Sequence, residues 1–599
     1  MKLSDYVIDF VARAGVKHIF MLAGGGCMHL ADSVGRAQGL EYVCCLHEQA
    51  CAFAAEAYAE YTNHLGAALV TTGPGGTNAV TGVAASWIEG ASCLFLSGQA
   101  KRADLMGQSG VRSMGPQEVD IVSIVRPITK YAKTVLDPES IRYELEKAVH
   151  LATHGRRGPV WIDIPLDVQA ANVDENSLAG FTPERPGVNS ELQQQVAAAI
   201  ELLNRSQRPV LFLGSGVRSA VASGLVSRLV DVLQIPVLLT WKVVDILPEE
   251  HPYYAGRPGS IGQRGANFSQ QNSDCIMVLG ARLDLPQMAF SHENFARAAS
   301  KILVDIDPTE IAKLQMPIDV PVCADAADFI AEFLRQSGKL VRSDRSCWVK
   351  RTLEWQRQYP VVLPEYADAP AGTVNVYTLM DALSEELQPE DLLVPGSSGP
   401  CSDIFMQAFR IKSGQRVVNA PGLGAMGTGL PGAIGACLAS GRRRTICVNG
   451  DGGFQLNIQD LETVRRLNLP IKYFVLCNGG YASIMSAQRA HFQGRFAGSE
   501  PSSHLTLPQL IPVAQAYGIP ALEISNHAHL RQRIREALDH DGPMVCAVQT
   551  SADQPVAPRA TSIMRPDGGM VSRPMEDMWP LLSREEFHAN MIVPPVEES

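Results

Sequence analysis

The sequence is short of positive charge and of paired cysteines. Its 51 Lys and Arg residues are outnumbered by 62 Asp and Glu residues, which gives a net charge of -11. Nucleic acid is therefore not an expected partner, because phosphate contacts need basic patches. The 13 cysteines are an odd number and include no C-x-x-C pair. This pattern indicates neither a disulfide framework nor a zinc site.

Long apolar runs are missing as well. No stretch of the sequence is long enough to span a bilayer. The first eleven residues carry Lys2, Asp5 and Asp9 within their apolar run, which is unlike a secretory signal. We therefore expect no membrane partner and predict a cytoplasmic protein with reduced thiols.

What the sequence has is length, glycine and apolar residues. Its 599 residues are too many for one core, and 46% of them are hydrophobic while 51 are glycine. Alternating strand and helix patterns, with glycine turns after the strands, predict an α/β protein with three doubly wound parallel-sheet domains. The predicted domains are residues 1–181, 190–340 and 372–552, followed by a tail at 553–599. Residues 182–187 are a predicted linker, and residues 342–371 a connector around one helix.

One stretch of the third domain combines two buried strands with two glycine turns. Thr445 to Val448 and Ile471 to Cys477 are apolar runs that predict neighbouring parallel strands. Ligands bind at the carboxyl ends of such strands. Those ends carry Asp451 and Asn478, each set among glycines. Between the strands, Asn457 is a predicted N-cap for a helix that continues to Leu467.

An acid and an amide oxygen are hard ligands, suited to magnesium or calcium. Gly450, Gly452 and Gly453 leave room for a diphosphate against backbone N–H groups. Two ordinary turns are the simpler alternative. The pattern resembles the Gly-Asp-Gly…Asn motif of thiamine diphosphate (ThDP) enzymes. This resemblance implies that magnesium is held by the side chains of Asp451 and Asn478 and by the carbonyl of Gly480. It also implies that Tyr481, at the end of the motif, contacts the cofactor.

A second set of motifs lies in the first domain. Glu48 follows a predicted strand and begins a helix, where a carboxylate is also favoured simply by the helix N-terminus. The segment Cys45 to Tyr58 resembles the pyrimidine-binding domain of acetolactate synthases, and the cofactor-activating glutamate of that family aligns with Glu48. Residues 71–82 and 115–120 are similar to segments of the same family. The resemblance implies that Pro74, Asn78 and Gln117 line the cofactor site, with Glu48 and Gln117 as catalytic residues.

The predicted middle domain raises the question of a flavin. Gly214 and Gly216 follow a predicted strand, but a bare G-x-G is equally explained by a tight strand-to-helix turn. A single helix is predicted from Val217 to Leu233. The domain resembles the middle domain of acetolactate synthases, which implies FAD across the strand ends, although many ThDP enzymes keep this domain without flavin. The candidate flavin contacts are Gly214, Gly216, Arg282, Asp305 and Asp325.

The third domain also contains a possible dinucleotide fingerprint. Gly422 to Gly427 spells G-x-G-x-x-G, with Asp451 roughly twenty residues further on, so an NAD enzyme is a rival interpretation. The same run resembles the ThDP-family segment that holds the aminopyrimidine. That likeness assigns the carbonyl of Gly424 to the amino group and Met426 to the bulky wedge, although a lone methionine is more often core filler. The turn at residues 395–399, with Ser398, is a predicted phosphate-facing turn.

Three positions depart from acetolactate synthases of branched-chain biosynthesis. Gln488 falls where a tryptophan is usual, Pro116 where a phenylalanine is usual, and Cys401 where a histidine is usual. These departures leave the acceptor substrate open, although they leave the cofactor assignment unchanged. Gln488 and Arg489 lie on a predicted helix, Ala482 to Phe492, and face either the site or solvent.

The predicted activity follows from these resemblances. They imply ThDP- and magnesium-dependent decarboxylation of a 2-oxo acid, with pyruvate the first choice, and transfer of the two-carbon unit to a second carbonyl. The alternatives are a carboligase that uses a keto sugar, a non-oxidative 2-oxo acid decarboxylase, and a non-catalytic flavoprotein subunit. The family brings the first domain of one chain against the third domain of another, which implies a homodimer or homotetramer.

Overall fold

Three separate parallel sheets, each flanked by helices, make up the protein in the computed structural model. The structure describes residues 1–184, 190–222, 224–368, 370, 372–564 and 569–596. The sheets have six, five and six strands, which confirms the predicted fold class. Residues 185–187 of the predicted linker, residues 369 and 371 of the connector, and residues 565–568 and 597–599 of the tail lie outside the described residues. Within the described part, no helix has the length and apolarity that a membrane span requires.

The first sheet is built from residues 18–165. Its strands, in order across the sheet, are Glu41–Cys44, His18–Met21, Gly66–Val70, Cys93–Gln99, Val160–Pro165 and Tyr131–Thr134. The helices around it are Leu3–Arg13, Met28–Arg36, Glu48–Thr62, Pro74–Glu89, Ile121–Val125, Ile141–Thr153 and Leu166–Gln169.

The middle sheet is built from residues 209–323. Its strands, in order, are Val320–Cys323, Ser300–Asp305, Cys275–Leu279, Pro209–Leu213 and Val237–Leu239. Its helices are Leu192–Arg205, Arg218–Ala222, Leu225–Leu233, Arg264–Gln271, Pro308–Ala312 and Ala326–Arg335. The prediction of one helix from Val217 to Leu233 was wrong, because Gly224 takes a left-handed conformation with φ 72° and separates two helices.

The third sheet is built from residues 392–549. Its strands, in order, are Arg416–Val417, Leu392–Pro395, Thr445–Gly450, Ile471–Cys477, Met544–Gln549 and Ala521–Ile524. Its helices are Val376–Glu386, Pro400–Ala408, Gly429–Ala439, Asp451–Gln455, Leu461–Arg466, Ala482–Phe492, Leu510–Ala516 and Leu530–Asp539.

Each sheet reverses its strand order between two interior strands, and the glycine turns of the sequence lie at these places; the two six-stranded sheets are also out of sequence order at one edge. In the third sheet the reversal falls between the strands Leu392–Pro395 and Thr445–Gly450. In the middle sheet it falls between Pro209–Leu213 and Cys275–Leu279, and in the first sheet between His18–Met21 and Gly66–Val70. Such switch points open a crevice beyond the strand ends, where open α/β sheets bind ligands.

The first and third domains pack closely within one chain, whereas the family resemblance implied contact between these domains of two different chains. The helix Glu48–Thr62 lies against the helix Gly429–Ala439, and their small residues share one apolar core. The contact depends on glycine, because a Cβ at Gly435 would lie 2.0 Å from the carbonyl oxygen of Ala54. Small side chains on both helices therefore let the two backbones approach.

The predicted C-terminal tail is structured against the middle domain. It contains the antiparallel strands Ser562–Met564 and Met570–Ser572 and the helix Arg584–Asn590. The side chain of Asn590 accepts a 2.7 Å hydrogen bond from the indole of Trp355, on the connector helix Ser346–Gln358. The tail is thus part of the packing of the middle domain.

Candidate active site

The turn after the strand Thr445–Gly450 places Asp451 against the turn after the next strand. The Asp451 carboxylate accepts hydrogen bonds from the backbone N–H groups of Gly452, Asn478 and Gly479, at 2.8, 3.0 and 2.8 Å. The Oδ1 of Asn478 in turn accepts from the N–H of Gly480 at 3.2 Å. The structure therefore brings Asp451, Asn478 and Gly480, which the sequence singled out for a cation, into one hydrogen-bonded pair of turns.

The glycines of these turns differ in the space around them. A Cβ at Gly452 would lie 2.5 Å from the ring of Tyr481, whereas a Cβ at Gly450 would meet nothing within 4 Å. A Cβ at Gly453 would lie 3.1 Å from Oδ1 of Asn449. Gly452 is therefore required by the packing of Tyr481, and Gly450 borders open space.

The donor set fits a magnesium ion that also binds phosphate oxygens. Burial raises the pKa of Asp451 to about 6, and the backbone hydrogen bonds only partly offset that rise. A carboxylate has about four acceptor positions, and three are used, so Asp451 keeps one for a cation. Within the described ranges, no group of three or more His, Cys, Asp or Glu side chains could hold a metal ion. Few protein ligands are what magnesium needs when phosphate and water supply the rest.

The loop at residues 422–428 lies across the same switch point. Gly424 has φ 65°, and the hydroxyl of Ser397 donates to the carbonyl of Ala425. Met426 is 40% exposed, so it is not core filler. Ser398 is exposed on the opposite turn, after the strand Leu392–Pro395. The predicted contacts Gly424 and Ser398 thus lie on two turns that meet at the hydrogen bond from Ser397 to Ala425, and Met426 is exposed on the same loop as Gly424.

Glu48 begins its helix as predicted and is held by a neighbouring helix. The Nδ2 of Asn78 donates to the Oε2 of Glu48 at 2.9 Å. Glu48 is only 6% exposed, whereas Pro74 and Asn78, in the first turns of the helix Pro74–Glu89, are exposed. The structure therefore joins Glu48 to Asn78 and places Pro74 at the start of the same helix as Asn78, as residues predicted for the pyrimidine end of the cofactor.

Gln117 is held by a buried polar network that the sequence did not reveal. The hydroxyl of Thr72 lies 3.2 Å from the carbonyl oxygen of Gln117 and 2.9 Å from Oε1 of Gln99. Gln99 also donates to Asp163, which is fully buried and whose pKa burial raises to about 7. The side chain of Gln117 is exposed and its φ is 66°. Only the apolar environment of Asp163 in its strand could have signalled this network.

A second undetected contact joins the two halves of the site. The amide of Asn457 donates at 2.9 Å to Oε1 of Gln49, next to Glu48, and at 2.8 Å to the carbonyl of Gly427, next to Met426. Asn457 does occupy the N-cap position of the turn that follows, but its side chain bonds Gln49 and Gly427 and does not cap that turn. A short 3-10 turn at residues 458–460 and the helix Leu461–Arg466 replace the predicted helix.

The middle domain contributes most of a large cleft of about 670 Å³. It opens at the switch point of the middle sheet and extends to Ser398 and Gly424 of the third domain. All five candidate flavin contacts line it, namely Gly214, Gly216, Arg282, Asp305 and Asp325. A cleft of this size suits a large organic cofactor.

Several of these candidates also have structural roles. A Cβ at Gly216 would lie 2.7 Å from Cα of Gly280, so the close approach of two strand ends already requires this glycine. Asp325 caps the helix Ala326–Arg335 by accepting from the N–H of Ala327 at 2.7 Å. Arg282 donates to the carbonyl of Ile88 in the first domain at 3.1 Å. Their positions in the cleft are therefore compatible with a ligand but do not require one.

The helix Ala482–Phe492 has the bounds that the sequence predicted, but Gln488 engages the protein itself. Its Oε1 accepts from the hydroxyl of Ser499 at 2.6 Å, and its Nε2 donates to the carbonyl of Ala497 at 3.1 Å. Arg489 is exposed and forms an ion pair with Asp553. Cys401 is buried, with its thiol 3.2 Å from the carbonyl oxygen of Ser398.

The fold and this site define a class of cofactor-dependent enzyme, and three family models match the chain in the corresponding order. Residues 1–124 match the thiamine pyrophosphate enzyme N-terminal TPP binding domain. Residues 196–333 match the central domain, and residues 397–548 match the C-terminal TPP binding domain. Thiamine pyrophosphate is thiamine diphosphate, so the cofactor predicted from sequence is confirmed. Gly422 to Gly427 lie inside the C-terminal match, which gives no support to an NAD site.

Comparison with curated relatives narrows the class. The chain is 30% identical to the acetolactate synthase large subunit of Pyropia yezoensis, over 92% of both chains. It is 30% identical to the acetolactate synthase of Arthrospira platensis, over 92% of this chain and 94% of the relative. For acetolactate synthase isozyme 1 large subunit of Escherichia coli K12, the identity is 29% over 93% and 95%.

The chain belongs to the acetolactate synthase family of ThDP enzymes. This membership supports ThDP-dependent decarboxylation with carboligation. It does not favour the keto-sugar carboligase, the plain decarboxylase or the non-catalytic flavoprotein subunit.

Proposed function

We propose that this protein decarboxylates pyruvate and joins the two-carbon unit to a second carbonyl compound, with a second pyruvate as the first choice of acceptor. The observation that carries the proposal is the hydrogen-bonded set of Asp451, Asn478 and Gly480 at the switch point of the third sheet. The names of the relatives alone would not identify the residues that bind the cofactor and catalyse the reaction.

Magnesium is proposed to bind the side chains of Asp451 and Asn478 and the carbonyl of Gly480. When bound, ThDP would supply the nucleophilic carbon and the electron sink that side chains lack. Glu48 would hold a proton at the pyrimidine end, with its orientation fixed by Asn78. Gln117, at the end of an exposed loop, would contact the 2-oxo acid.

FAD is proposed as a second cofactor in the cleft of the middle domain. The support is that Gly214, Arg282 and Asp305 converge there and that the cleft reaches Gly424. Purified protein should then absorb visible light and release flavin when it is unfolded. A colourless preparation with full activity would refute FAD but would leave the ThDP assignment untouched.

Self-association into at least a dimer is also proposed. Asn78, Gln117 and Met426 are all exposed in the single chain, whereas a site for reactive intermediates must exclude water. A second chain would cover these side chains. Light scattering coupled to size-exclusion chromatography should give at least twice the 64.7 kDa mass of the chain.

The decisive experiment is product analysis. Protein supplied with ThDP, magnesium and pyruvate should release carbon dioxide and form acetolactate, and omission of ThDP should abolish both. Aldehydes and other 2-oxo acids are then added one at a time to identify the acceptor. Consumption of pyruvate that yields only free acetaldehyde would contradict carboligation.

A further inference from the structure

Gln488 connects the helix Ala482–Phe492 to the loop that follows it. Both ends of its side-chain amide are used, one accepting from the hydroxyl of Ser499 and the other donating to the carbonyl of Ala497. Ser499 is completely buried. The two bonds run in opposite directions and use both the oxygen and the nitrogen of the amide.

Ser499 in turn contacts the turn at residues 478–481. Its carbonyl accepts from the N–H of Tyr481 at 2.9 Å. A Cβ at Gly480 would lie 2.3 Å from that same oxygen. Gly480 therefore lies directly against Ser499, and the orientation of its peptide depends on where Ser499 stands.

The turn is fixed from its other side as well. Asn478 and Gly479 donate to Asp451, and the ring of Tyr481 lies over Gly452. One side of the turn is thus held by the acid and the other by Ser499. Loss of the Ser499 contact would leave the Asp451 bonds in place but free the Gly480 peptide to rotate.

We propose that Gln488, acting through Ser499, is a positioning residue that fixes the Asn478–Tyr481 turn, which would hold the magnesium ion of the ThDP site. This inference rests on the proposed function of that turn. It assigns to Gln488 a role within the protein scaffold, and no contact with the acceptor substrate. Its effect should therefore appear first in binding of magnesium and ThDP, before any change in the choice of acceptor.

The test measures binding, with activity as a secondary readout. Isothermal titration calorimetry gives the Kd of ThDP at saturating magnesium and the Kd of magnesium at saturating ThDP. Gln488→Leu should raise both about 10-fold, because a loosened chelate loses preorganisation. Ser486, exposed on the same helix, supplies the control, and Ser486→Ala should leave both unchanged.

Three further variants extend the test, and Ser499→Ala and Gln488→Glu keep the proposal falsifiable if Gln488→Leu folds poorly. Ser499→Ala removes the same hydroxyl bond from the other side and should raise both Kd values by a similar factor. The double variant should be no worse than either single variant, since residues in one network are not additive. Gln488→Glu keeps the acceptor for Ser499 and loses the donor to Ala497, so its values should be intermediate.

The outcomes separate this inference from the proposed function. If wild-type protein does not bind ThDP with magnesium, the proposed function fails. If wild-type protein binds both but Gln488→Leu and Ser499→Ala bind them with wild-type Kd, only the positioning role is overturned. Changed acceptor preference with unchanged Kd would instead place Gln488 at the substrate.

Discussion

The side chains of Glu48 and Asn78 are joined by a 2.9 Å hydrogen bond from Nδ2 to Oε2. Glu48 lies at the start of its helix, and Asn78 lies within the helix Pro74–Glu89 that follows the next strand. A Cβ at Gly75 would stand 3.6 Å from the other carboxylate oxygen of Glu48. The amide of Asn78 therefore fixes one carboxylate oxygen of Glu48, and the other oxygen faces the main chain at Gly75.

Replacement of Glu48 by glutamine should reduce carbon dioxide release from pyruvate by at least about 100-fold, because an amide cannot hold and return a proton as a carboxyl group does. Glutamine keeps the size of the side chain and can still accept a hydrogen bond from Asn78. The measurement is the initial rate at saturating ThDP and magnesium. Circular dichroism should show an intact fold, and wild-type turnover by this variant would remove the assigned role.

Asp163 should make stability depend on pH. Its pKa in the folded protein is about 7, above the ordinary 3.8, because burial outweighs the bonds from Ser97, Gln99 and Thr134. The folded state therefore binds the proton more tightly, and this contribution to stability is full below 3.8. As pH rises from 3.8 to about 7, this contribution falls by up to about 1.4 kcal/mol per pH unit. Above that range it is absent.

Asp163→Asn should remove that dependence. The comparison is the difference in Tm between wild-type and variant protein, measured in steps from pH 5 to pH 8. The variant starts from a different Tm, since asparagine adds donors in a network built for an acceptor. What matters is the slope, which should be smaller for the variant. Parallel curves would show that Asp163 does not titrate in this window.

The strand ends and their glycine turns could be predicted because the signal is local. A buried parallel strand is an apolar run, and a glycine turn after it marks the edge where ligands bind. Asp451 and Asn478 each follow such a run, and the structure places their turns in direct contact. Glu48 was identified by its resemblance to a family, since its position alone is equally that of an ordinary helix N-terminus.

The rest depended on partners distant in the chain. Asn457 has the local properties of a helix cap, but its amide bonds Gln49, more than 400 positions away. Gln488 lies on the predicted helix, yet its bonds with Ser499 and Ala497 depend on the path of the following loop. Such bonds compete with local capping preferences and leave no periodic signal.

Replacement of Lys242 should weaken the packing of the three domains against one another. Its ammonium group contacts Glu60 and Glu89 of the first domain and the carbonyl of Asn419 in the third. Burial raises the pKa of Glu89 and lowers that of Lys242. Lys242→Met would remove the ammonium group from Glu60 and Glu89, and the loss of stability should reach at most about 3–5 kcal/mol, the cost of breaking a buried pair whose acids stay charged.

The measurement is thermal unfolding, recorded by differential scanning calorimetry. Lys350→Met is the control, because the side chain of Lys350 is 77% exposed and its contact with Glu354 is 3.9 Å, a pair worth at most about 1 kcal/mol. Adding Glu89→Gln to Lys242→Met should recover part of the loss. Equal stability of the Lys242 and Lys350 variants would show that the buried cation does not hold the domains together.

The glycines on either side of Asp451 should respond differently to alanine. At Gly452 the new methyl group would lie 2.5 Å from the ring of Tyr481, so overpacking should cost about 1–3 kcal/mol. At Gly450 the methyl group meets nothing within 4 Å, and the backbone φ of -88° suits alanine. Gly450→Ala should therefore keep the wild-type Tm.

Both alanine variants should weaken ThDP binding, but for different reasons. Gly450→Ala fills the space proposed for the diphosphate, so its Kd for ThDP should rise although the protein is no less stable. Gly452→Ala should weaken binding only together with loss of stability, and its effect should shrink in a Tyr481→Ala background, because the two residues share one contact. A Gly450→Ala variant that binds ThDP with unchanged Kd would place the diphosphate away from this turn.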